Sequence, residues 1–163
     1  AQPRLSVRAA LAVTVLALAG CGTTSPCGPT SGEVVNVVDG DTVDLKTGER
    51  IRLLSIDTPE TTGGKNDCYG QEAKTFTTDF VLNKQVTVTY DAECKDRYGR
   101  LLAYVAVNGK ELNHALVEGG YACSYTLPPS GVKRQTEFED LQAVAKTNRV
   151  GLWGACTTVT CGN

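Results

Sequence analysis

Residues 38–60 read VDGDTVDLKTGERIRLLSIDTPE, and this stretch decides both the predicted fold and the predicted site. β-Branched and aliphatic runs alternate with glycine-containing turns, which predicts a meander of three antiparallel strands. We place these strands at 33–38, 42–45 and 50–56, with a hairpin turn at 47–49. The acidic and basic residues near the strand ends are Asp39, Asp41, Asp57 and Glu60, with Arg50 and Arg52.

The chemistry of these side chains suits a metal and a phosphate. Asp41 follows a glycine turn and Asp57 ends the third strand, so both can lie at one end of the sheet. Two carboxylates, a backbone carbonyl and water suit calcium. Glu60 can reach a water bound there, and Arg52 can grip a phosphate with two hydrogen bonds. Taken singly, each acid is more typical of a turn and the arginine of a surface ion pair; together they indicate metal-assisted phosphodiester cleavage.

The remainder of the chain predicts two further strands and three helices. Apolar spacing predicts helices over 70–82, 113–118 and 133–147. Alternation predicts strands over 85–90 and 101–107, joined by a charged connection. The resulting order, β-β-β-α-β-β-α-α, predicts an α+β, mainly β protein: a five-stranded OB-fold barrel with three helices packed on it.

A second cluster, residues 95–100 (KDRYGR), interleaves basic side chains with an aromatic ring. Such a segment can hold a phosphate while a base stacks on the ring, although a solvated charged hairpin is the alternative. Tyr125 is a further candidate for stacking.

The overall charge does not indicate a nucleic-acid-binding protein. The chain of 163 residues has a formal net charge of −2, and without Arg4 and Arg8 it keeps 14 basic against 18 acidic residues. Nucleic-acid chemistry must therefore depend on a local basic site assisted by a cation.

The first twenty residues resemble an export signal. Arg4 and Arg8 precede an apolar segment too short to span a bilayer, and Leu18–Cys21 resembles a bacterial lipobox. We expect a lipoprotein-type signal peptide at 1–20, with Cys21 lipidated and anchored in the cell membrane on its extracytoplasmic side. An ordinary secretory signal is the alternative, and the protein would then be secreted.

The expected domain organisation follows from these features. Cys21 would begin a flexible tether that runs through 21–32, the folded domain would occupy 33–156, and 157–163 would form a C-terminal tail. The tether is small, polar and rich in glycine and proline. One domain is the default for this length, and we expect a monomer.

Six cysteines remain when Cys21 is set aside, which suggests up to three disulfides in an exported domain. A zinc site is the alternative, but no C-x-x-C pair occurs and the only histidine is His114. Six cysteines permit 15 pairings, and the sequence alone does not choose among them. Our preference joins the loop before the first helix to the chain end, two loops near the second cluster, and the termini: Cys68–Cys156, Cys94–Cys123 and Cys27–Cys161.

Four motifs in order resemble the staphylococcal nuclease (thermonuclease) family. They are V-x-D-G-D-T at 37–42, R-x-L-x-x-D-T-P-E at 52–60, Y-G-x-E-A at 69–73 and D-R-Y-G-R at 96–100. The similarity runs over 33–153. It implies an OB-fold barrel with three helices and a calcium-dependent nuclease that acts on DNA and RNA.

The resemblance also implies roles for individual residues. Asp41, Asp57 and the backbone carbonyl of Thr58 would hold Ca²⁺, and Glu60 would act on the attacking water. Asp39 is left to shape the turn. The scissile phosphate would be held by Arg52 and Arg100. The nucleotide-contacting positions would be Arg97, Tyr98, Leu102 and Tyr125.

The sequence thus predicts an exported nuclease that hydrolyses DNA and RNA with Ca²⁺ and leaves 3′-phosphate ends. The alternative from a different class is a non-catalytic surface module that uses the barrel to bind nucleic acid or other polyanions. A degenerate binding module would be expected to lack one of the acids or arginines, and all of them are present. A structural envelope lipoprotein is a third interpretation, disfavoured by four motifs in order.

Overall fold

A computed structural model describes residues 24–161 of the chain. The predicted signal peptide, the lipidation site at Cys21 and the last two residues lie outside the described residues. Within the described part, no helix is long and apolar enough to cross a membrane.

The described residues, 24–161, form ten strands, several of them only two residues long. In chain order they are β1 (Thr24–Ser25), β2 (Gly28–Pro29), β3 (Ser31–Asp39), β4 (Thr42–Leu45), β5 (Arg50–Leu53), β6 (Ile56–Asp57), β7 (Gln85–Lys95), β8 (Leu101–Val107), β9 (Lys110–Glu111) and β10 (Cys123–Ser124). The helices are α1 (Gly70–Val81), α2 (Leu112–Glu118), α3 (Gln135–Thr147) and the one-turn α4 (Leu152–Ala155), with a 3₁₀ turn at Val132–Arg134.

Five of these strands close into a barrel. Their order is β5-β4-β3-β7-β8, with antiparallel neighbours, and β5 then pairs with β8 in parallel to complete the ring. Closure leaves no long unpaired strand edge in the barrel. The structure confirms the predicted α+β OB-fold barrel with three principal helices.

Alternation along β5 separates the core from the site. Ile51 and Leu53 point inward and are 0% and 1% exposed, whereas Arg50 and Arg52 share the opposite face of the strand. The inward residues join Phe138 from α3 and Leu116 from α2 in one apolar core. The packing of these inward side chains therefore fixes the strand that carries Arg50 and Arg52 on its other face.

The third predicted strand is interrupted where the sequence suggested continuity to residue 56. β5 ends at Leu53, and Ser55 adopts a left-handed φ of 64°. The Ser55 hydroxyl shares a 2.8 Å hydrogen bond with the Tyr104 hydroxyl, which holds the turn in place. The chain resumes as β6, which pairs with β10 instead of with the barrel. This bend places Asp57 in front of the outer face of β5.

Strand β7 is longer than the predicted 85–90 and runs on to Lys95. Its pairing with β8 is irregular between Tyr90 and Lys95. The side chains in this extension are largely polar, so the alternation that marks a half-buried strand fades there. The predicted charged connection is therefore partly strand, and only the last turn, which carries Arg97 and Tyr98, is a loop.

The disulfide prediction is one-third correct. Cys68–Cys156 is formed as predicted, but the other pairs are Cys27–Cys94 and Cys123–Cys161. The predictions Cys94–Cys123 and Cys27–Cys161 are wrong because the N-terminal segment is not a free tether. All six of these cysteines are in disulfides, so none of them is a zinc ligand.

Residues 24–32 fold onto the barrel. The hairpin of β1 and β2 leads directly into β3, and Cys27 is bonded to Cys94 at the end of β7. The Tyr90 hydroxyl donates a hydrogen bond to the Pro29 carbonyl at 2.8 Å. Residues 24–32, which were predicted to be part of the flexible tether, are therefore an ordered part of the folded domain. The predicted tail is likewise attached at Cys161, through its disulfide with Cys123.

Candidate active site

Arg52 is the centre of the site. Its Nη1 donates to the carbonyl oxygens of Leu53 and Ile56 at 2.8 and 2.9 Å, which fixes the guanidinium against the Ser55 turn. Its Nη2 lies 2.6 Å from Asp57 Oδ1 and 3.3 Å from Asp41 Oδ2. The structure thus brings together Asp41 and Asp57, which the sequence predicted to converge, and places the Arg52 guanidinium beside both.

Asp41 is almost fully buried and is held as an anion. Its Oδ2 accepts the Thr58 N–H at 3.0 Å and its Oδ1 accepts the Thr42 hydroxyl at 2.9 Å. Burial acts to raise the pKa of Asp41, but the Arg52 guanidinium and the Thr58 N–H lower it below the ordinary value. A buried, ionised carboxylate beside a second carboxylate is ready to bind a cation.

The pKa of Asp39 is shifted in the opposite direction from that of Asp41. Burial, followed by the nearby Asp41 carboxylate, raises the pKa of Asp39 to about 7. Its Oδ1 accepts the Asp41 N–H at 3.3 Å, which closes the turn around Gly40. This geometry agrees with the expectation that Asp39 shapes the turn.

Gly40 lets the two acid-bearing turns approach each other. A Cβ at this position would lie 2.7 Å from Thr58 Cγ2 and 2.9 Å from Ala73 Cβ. The Gly40 carbonyl accepts the Thr77 hydroxyl at 2.6 Å, so helix α1 holds the turn from behind. The φ of Gly40 is not in the left-handed region. The glycine is therefore needed for the close approach of its neighbours and not for its backbone conformation.

Glu60 lies on the turn after β6 and is half-buried. Its backbone N–H donates to Asp67 Oδ2 at 3.2 Å, and its Oε2 accepts the Thr62 hydroxyl at 3.1 Å. Its charge acts on Asp39, which places it within electrostatic reach of the buried acids. Asp67 is a positioning residue that the sequence analysis missed, since only the fold brings it back onto Glu60.

Arg100 is held at the base of the 96–100 loop. Its Nε donates to Asp96 Oδ2 at 2.7 Å and its backbone N–H to Asp96 Oδ1 at 3.0 Å. The parallel pairing of Arg52 with Leu102 puts Arg100 one step before β8, on the side of the barrel that carries Arg52. The two predicted phosphate-binding arginines are therefore close in the sheet, with Arg52 on β5 and Arg100 immediately before the neighbouring strand β8.

Tyr98 is the most exposed of the large hydrophobic side chains in the described residues, at 68%. The guanidinium carbons of Arg97 and Arg100 lie 4.8 and 5.5 Å from its ring centroid. An exposed ring beside two guanidinium groups suits stacking of a base next to a bound phosphate.

The other two predicted nucleotide-contacting residues, Leu102 and Tyr125, are less exposed than Tyr98. Leu102 is 4% exposed and belongs to the apolar core, although Arg52 is its sheet partner. In this structure it offers little surface to a nucleotide. Tyr125 is partly buried, and its N–H donates to the Ser55 carbonyl at 3.0 Å, which keeps it beside the turn that leads to Asp57.

Asn113, which the sequence did not single out, fastens the site to the barrel. It is fully buried, and its Nδ2 donates to the Leu54 carbonyl at 2.9 Å while its Oδ1 accepts the Val105 N–H at 3.0 Å. An asparagine in a short helix has no sequence signal for such a role. Its importance depends on the long-range contact between α2 and the Ser55 turn.

The donor atoms fit a hard cation. Asp41 and Asp57 converge on one positively charged group, and the Thr58 backbone adjoins both. Among residues 24–161, no group of three or more His, Cys, Asp or Glu side chains is arranged to hold a metal ion. Asp41 and Asp57 could supply two carboxylates and Thr58 a backbone carbonyl, and calcium would take its remaining oxygens from water or substrate.

Comparison with known proteins agrees with this geometry. Residues 50–155 match the family model described as staphylococcal nuclease homologue. The thermonuclease of Staphylococcus intermedius is 38% identical over 125 residues, which cover 74% of each chain. The thermonuclease of Staphylococcus hyicus is 36% identical over 126 residues, again 74% of each chain. Protein ParB of Escherichia coli is 36% identical over 160 residues, which cover 90% of this chain and 83% of that protein.

The family match spans β5 to α4 and so includes Arg52, Asp57, Glu60 and Arg100. The remaining acid, Asp41, is bonded directly to that segment through Thr58 and Arg52. Together with the five-stranded barrel, these similarities show that the chain belongs to the staphylococcal nuclease family.

Proposed function

We propose that the protein is a calcium-dependent nuclease that hydrolyses phosphodiester bonds of DNA and RNA and leaves 3′-phosphate ends. The observation that carries the proposal is the convergence of Asp41 and Asp57 on Arg52, within a fold that belongs to a nuclease family. This arrangement combines an anionic pair for a cation with a fixed donor for a phosphate.

The residues Asp41, Asp57 and Thr58 would hold Ca²⁺. When bound, the ion would orient the attacking water and offset negative charge on the phosphate. The Glu60 carboxylate would accept a hydrogen bond from that water and take its proton as the new O–P bond forms. The Thr62 hydroxyl and the Asp67 carboxylate restrict where Glu60 can lie.

Arg52 and Arg100 would donate hydrogen bonds to the phosphoryl oxygens, where charge accumulates in the transition state. Each is already anchored, Arg52 by two backbone carbonyls and Arg100 by Asp96. Such preorganisation lowers the ordering cost during the reaction. The bond from phosphorus to the 5′ oxygen then breaks, and the leaving oxygen acquires a proton.

We also propose that the enzyme acts outside the cytoplasm, anchored by a lipid at Cys21 or secreted. The support is the sequence of the first 21 residues, together with three disulfides in the folded part. Disulfides of this number are typical of proteins from oxidising compartments. Mass spectrometry of the protein from bacterial membranes would test for a diacylglyceryl group on Cys21, and an unmodified Cys21 would reject the anchor.

Hydrolysis of single-stranded DNA, double-stranded DNA and RNA, with calcium and with EGTA, tests the enzymatic proposal. We expect EGTA to abolish cleavage and calcium to restore it. Asp41→Ala should lose activity and weaken calcium binding in a titration calorimeter, and Arg100→Ala should lower kcat by about 10²–10³-fold. Asp140→Ala, an exposed acid on α3, is the matched control and should cleave normally.

Three outcomes would contradict the proposal. Undiminished cleavage in EGTA would reject the metal requirement. Products with 5′-phosphate ends, read by ligation of the fragments, would reject the assigned leaving group. Binding of single-stranded DNA with no turnover in calcium would favour the non-catalytic binding module.

A further inference from the structure

An open groove of about 490 Å³ lies on the barrel wall beside the site. It is lined by Asp44, Gly48, Arg50, Tyr98, Gly99 and Arg100. Two of these residues, Tyr98 and Arg100, already belong to the proposed substrate site. The groove extends from them across β5 to the hairpin turn between β4 and β5, which has no role in the mechanism above.

The strand register places Arg50, which lines the groove, beside the two arginines of the site. On β5, Arg50 and Arg52 are two residues apart and therefore project from the same face, about 7 Å apart along the strand. In the parallel pairing, Ile51 is the partner of Leu101, so the preceding residues, Arg50 and Arg100, lie in neighbouring rows of the same wall. Arg50 and Arg100 thus line one groove, and Arg52 lies next to Arg50 along the same face of β5.

The ion pair with Asp44 orients the Arg50 side chain but uses only some of its N–H donors. Its Nε and Nη2 donate to the two oxygens of Asp44 at 2.6 and 3.0 Å, and Asn36 donates to the same carboxylate at 2.9 Å. A guanidinium carries five N–H donors, of which this pair uses two. The side chain is 50% exposed, so its remaining donors can reach a ligand in the groove.

We infer that Arg50, with Tyr98 and the groove between them, is a second phosphate subsite that holds the nucleotide next to the scissile phosphate. The ligand is the sugar–phosphate backbone of a nucleic acid strand. The inference rests on the proposed nuclease function, because it requires a strand already held at Arg52 and Arg100.

The chemistry of the groove fits a phosphate better than a neutral ligand. The spacing of Arg50 and Arg52 is similar to the distance between successive phosphates of a nucleic acid strand. A nucleotide whose base stacks on Tyr98 would have its sugar between the two phosphates, which the sugar connects. Exposed ion pairs such as Arg50–Asp44 contribute little to stability, so sharing Arg50 with a phosphate is not strongly opposed. Asp44 lowers the local positive charge and should restrain affinity.

Steady-state kinetics of Arg50→Ala test the inference with two substrates. The first is a single-stranded oligonucleotide, and the second is the p-nitrophenyl ester of thymidine 5′-phosphate, which has only the scissile phosphate. We expect the KM for the oligonucleotide to rise about fivefold at about 0.1 M salt, with kcat unchanged, because one phosphate contact is lost. The slope of log KM against log salt should fall by about 0.7. The nitrophenyl ester should be hydrolysed as by the wild type.

Three further variants make the result specific. Arg50→Lys keeps the charge and should restore most of the oligonucleotide affinity, and Asp44→Asn frees Arg50 and should lower KM. Lys46→Ala removes a cation from an exposed pair with Glu33 on the next turn and should leave both substrates unaffected.

An unchanged KM for the oligonucleotide in Arg50→Ala would overturn the inference while leaving the nuclease function intact. Equal losses on both substrates would also overturn it, since they indicate a structural role for Arg50. If the wild-type protein hydrolyses neither substrate, the nuclease proposal itself fails.

Discussion

Replacement of Asn113 by alanine should destabilise the protein more than any exposed asparagine would. The side chain is fully buried and bonds the Leu54 carbonyl and the Val105 N–H, with a longer contact of 3.4 Å to the Ala103 carbonyl. The Ala103 carbonyl also accepts the Leu54 N–H, so it keeps a partner in the variant. Two buried backbone groups would lose theirs, at about 1–3 kcal/mol each. We therefore expect a loss of about 3 kcal/mol.

Thermal unfolding in non-reducing buffer, followed by circular dichroism, measures this loss. For a domain of this size, 1 kcal/mol shifts Tm by about 3 °C, so Asn113→Ala should melt about 10 °C below the wild type. Asn36→Ala is the matched control, because Asn36 is exposed and makes one side-chain bond, at 2.9 Å to Asp44. It should change stability by less than about 0.5 kcal/mol.

Asn113→Asp separates the hydrogen bonds from the packing. A carboxylate can still accept the Val105 N–H, but it cannot donate to the Leu54 carbonyl, and it buries a charge. It should be at least as unstable as the alanine variant near neutral pH, despite its nearly unchanged volume. If Asn113→Ala were no less stable than Asn36→Ala, the proposed role of these bonds in holding the Ser55 turn would be refuted.

Two other substitutions have effects that the structure specifies. Gly120→Ala would place a Cβ 2.2 Å from the Val150 carbonyl oxygen at a φ of +67°, so it should cost more than about 3 kcal/mol by urea unfolding. Gly109→Ala, at a φ of +78° in open space, should cost only about 1 kcal/mol, and equal losses would contradict the steric argument. The hydrogen bond from Arg134 lowers the pKa of Glu137 against the opposing effect of burial. The stability from this pair is present above the ordinary pKa of glutamate and is lost as pH falls through the folded value, so Glu137→Gln should flatten the unfolding free energy between about pH 5 and 3. If the unfolding free energies of the wild type and Glu137→Gln changed in parallel with pH, this role of the Arg134–Glu137 pair would be contradicted.

The elements that the sequence predicted well depend on local patterns. Strand β4, strand β8 and helix α1 show clear periodicities, and their observed bounds differ from the predicted ones by at most one residue. The convergence of Asp41 and Asp57 was also predicted, because both residues follow strands of the meander, although the bend after β5 sets the final position of Asp57. The break after Leu53 was not, since the apolar run there is typical of an uninterrupted strand. The bend depends on distant partners, the Tyr104 hydroxyl and the Asn113 side chain.

Burial of individual site residues was less predictable than their position. Leu102 follows the motif that carries Arg100, yet it is buried in the apolar core. Tyr98, four residues earlier in the chain, is on the loop and is 68% exposed. Sequence motifs therefore indicated the candidate substrate-binding segment, but the tertiary packing decides which of its side chains are exposed.

The three disulfides lie next to three segments that carry the proposed chemistry: the loop of Arg100, strand β6 with Asp57, and the turn of Glu60. Cys94 immediately precedes the loop of Arg100, and Cys27 reaches it because β3 runs antiparallel beside β7. Cys123 is the sheet partner of Asp57, and its own partner is Cys161. Each bond closes a long chain segment, of 67 and 38 residues in sequence separation, which corresponds to about 4 kcal/mol of loop entropy each.

The remaining bond acts on the third segment. Cys68 precedes helix α1, and its bond to Cys156 fixes the helix start, where a Cβ on Gly70 would lie 3.0 Å from the Pro59 carbonyl oxygen and 3.2 Å from that of Glu60. The turn that carries Glu60 is therefore packed against a covalently fixed helix end. Since the acids of the site repel one another and burial of Asp39 and Asp41 is unfavourable, the folded state needs stabilisation from elsewhere in the molecule. Covalent links at the three loops provide it without placing a bulky side chain in the open site.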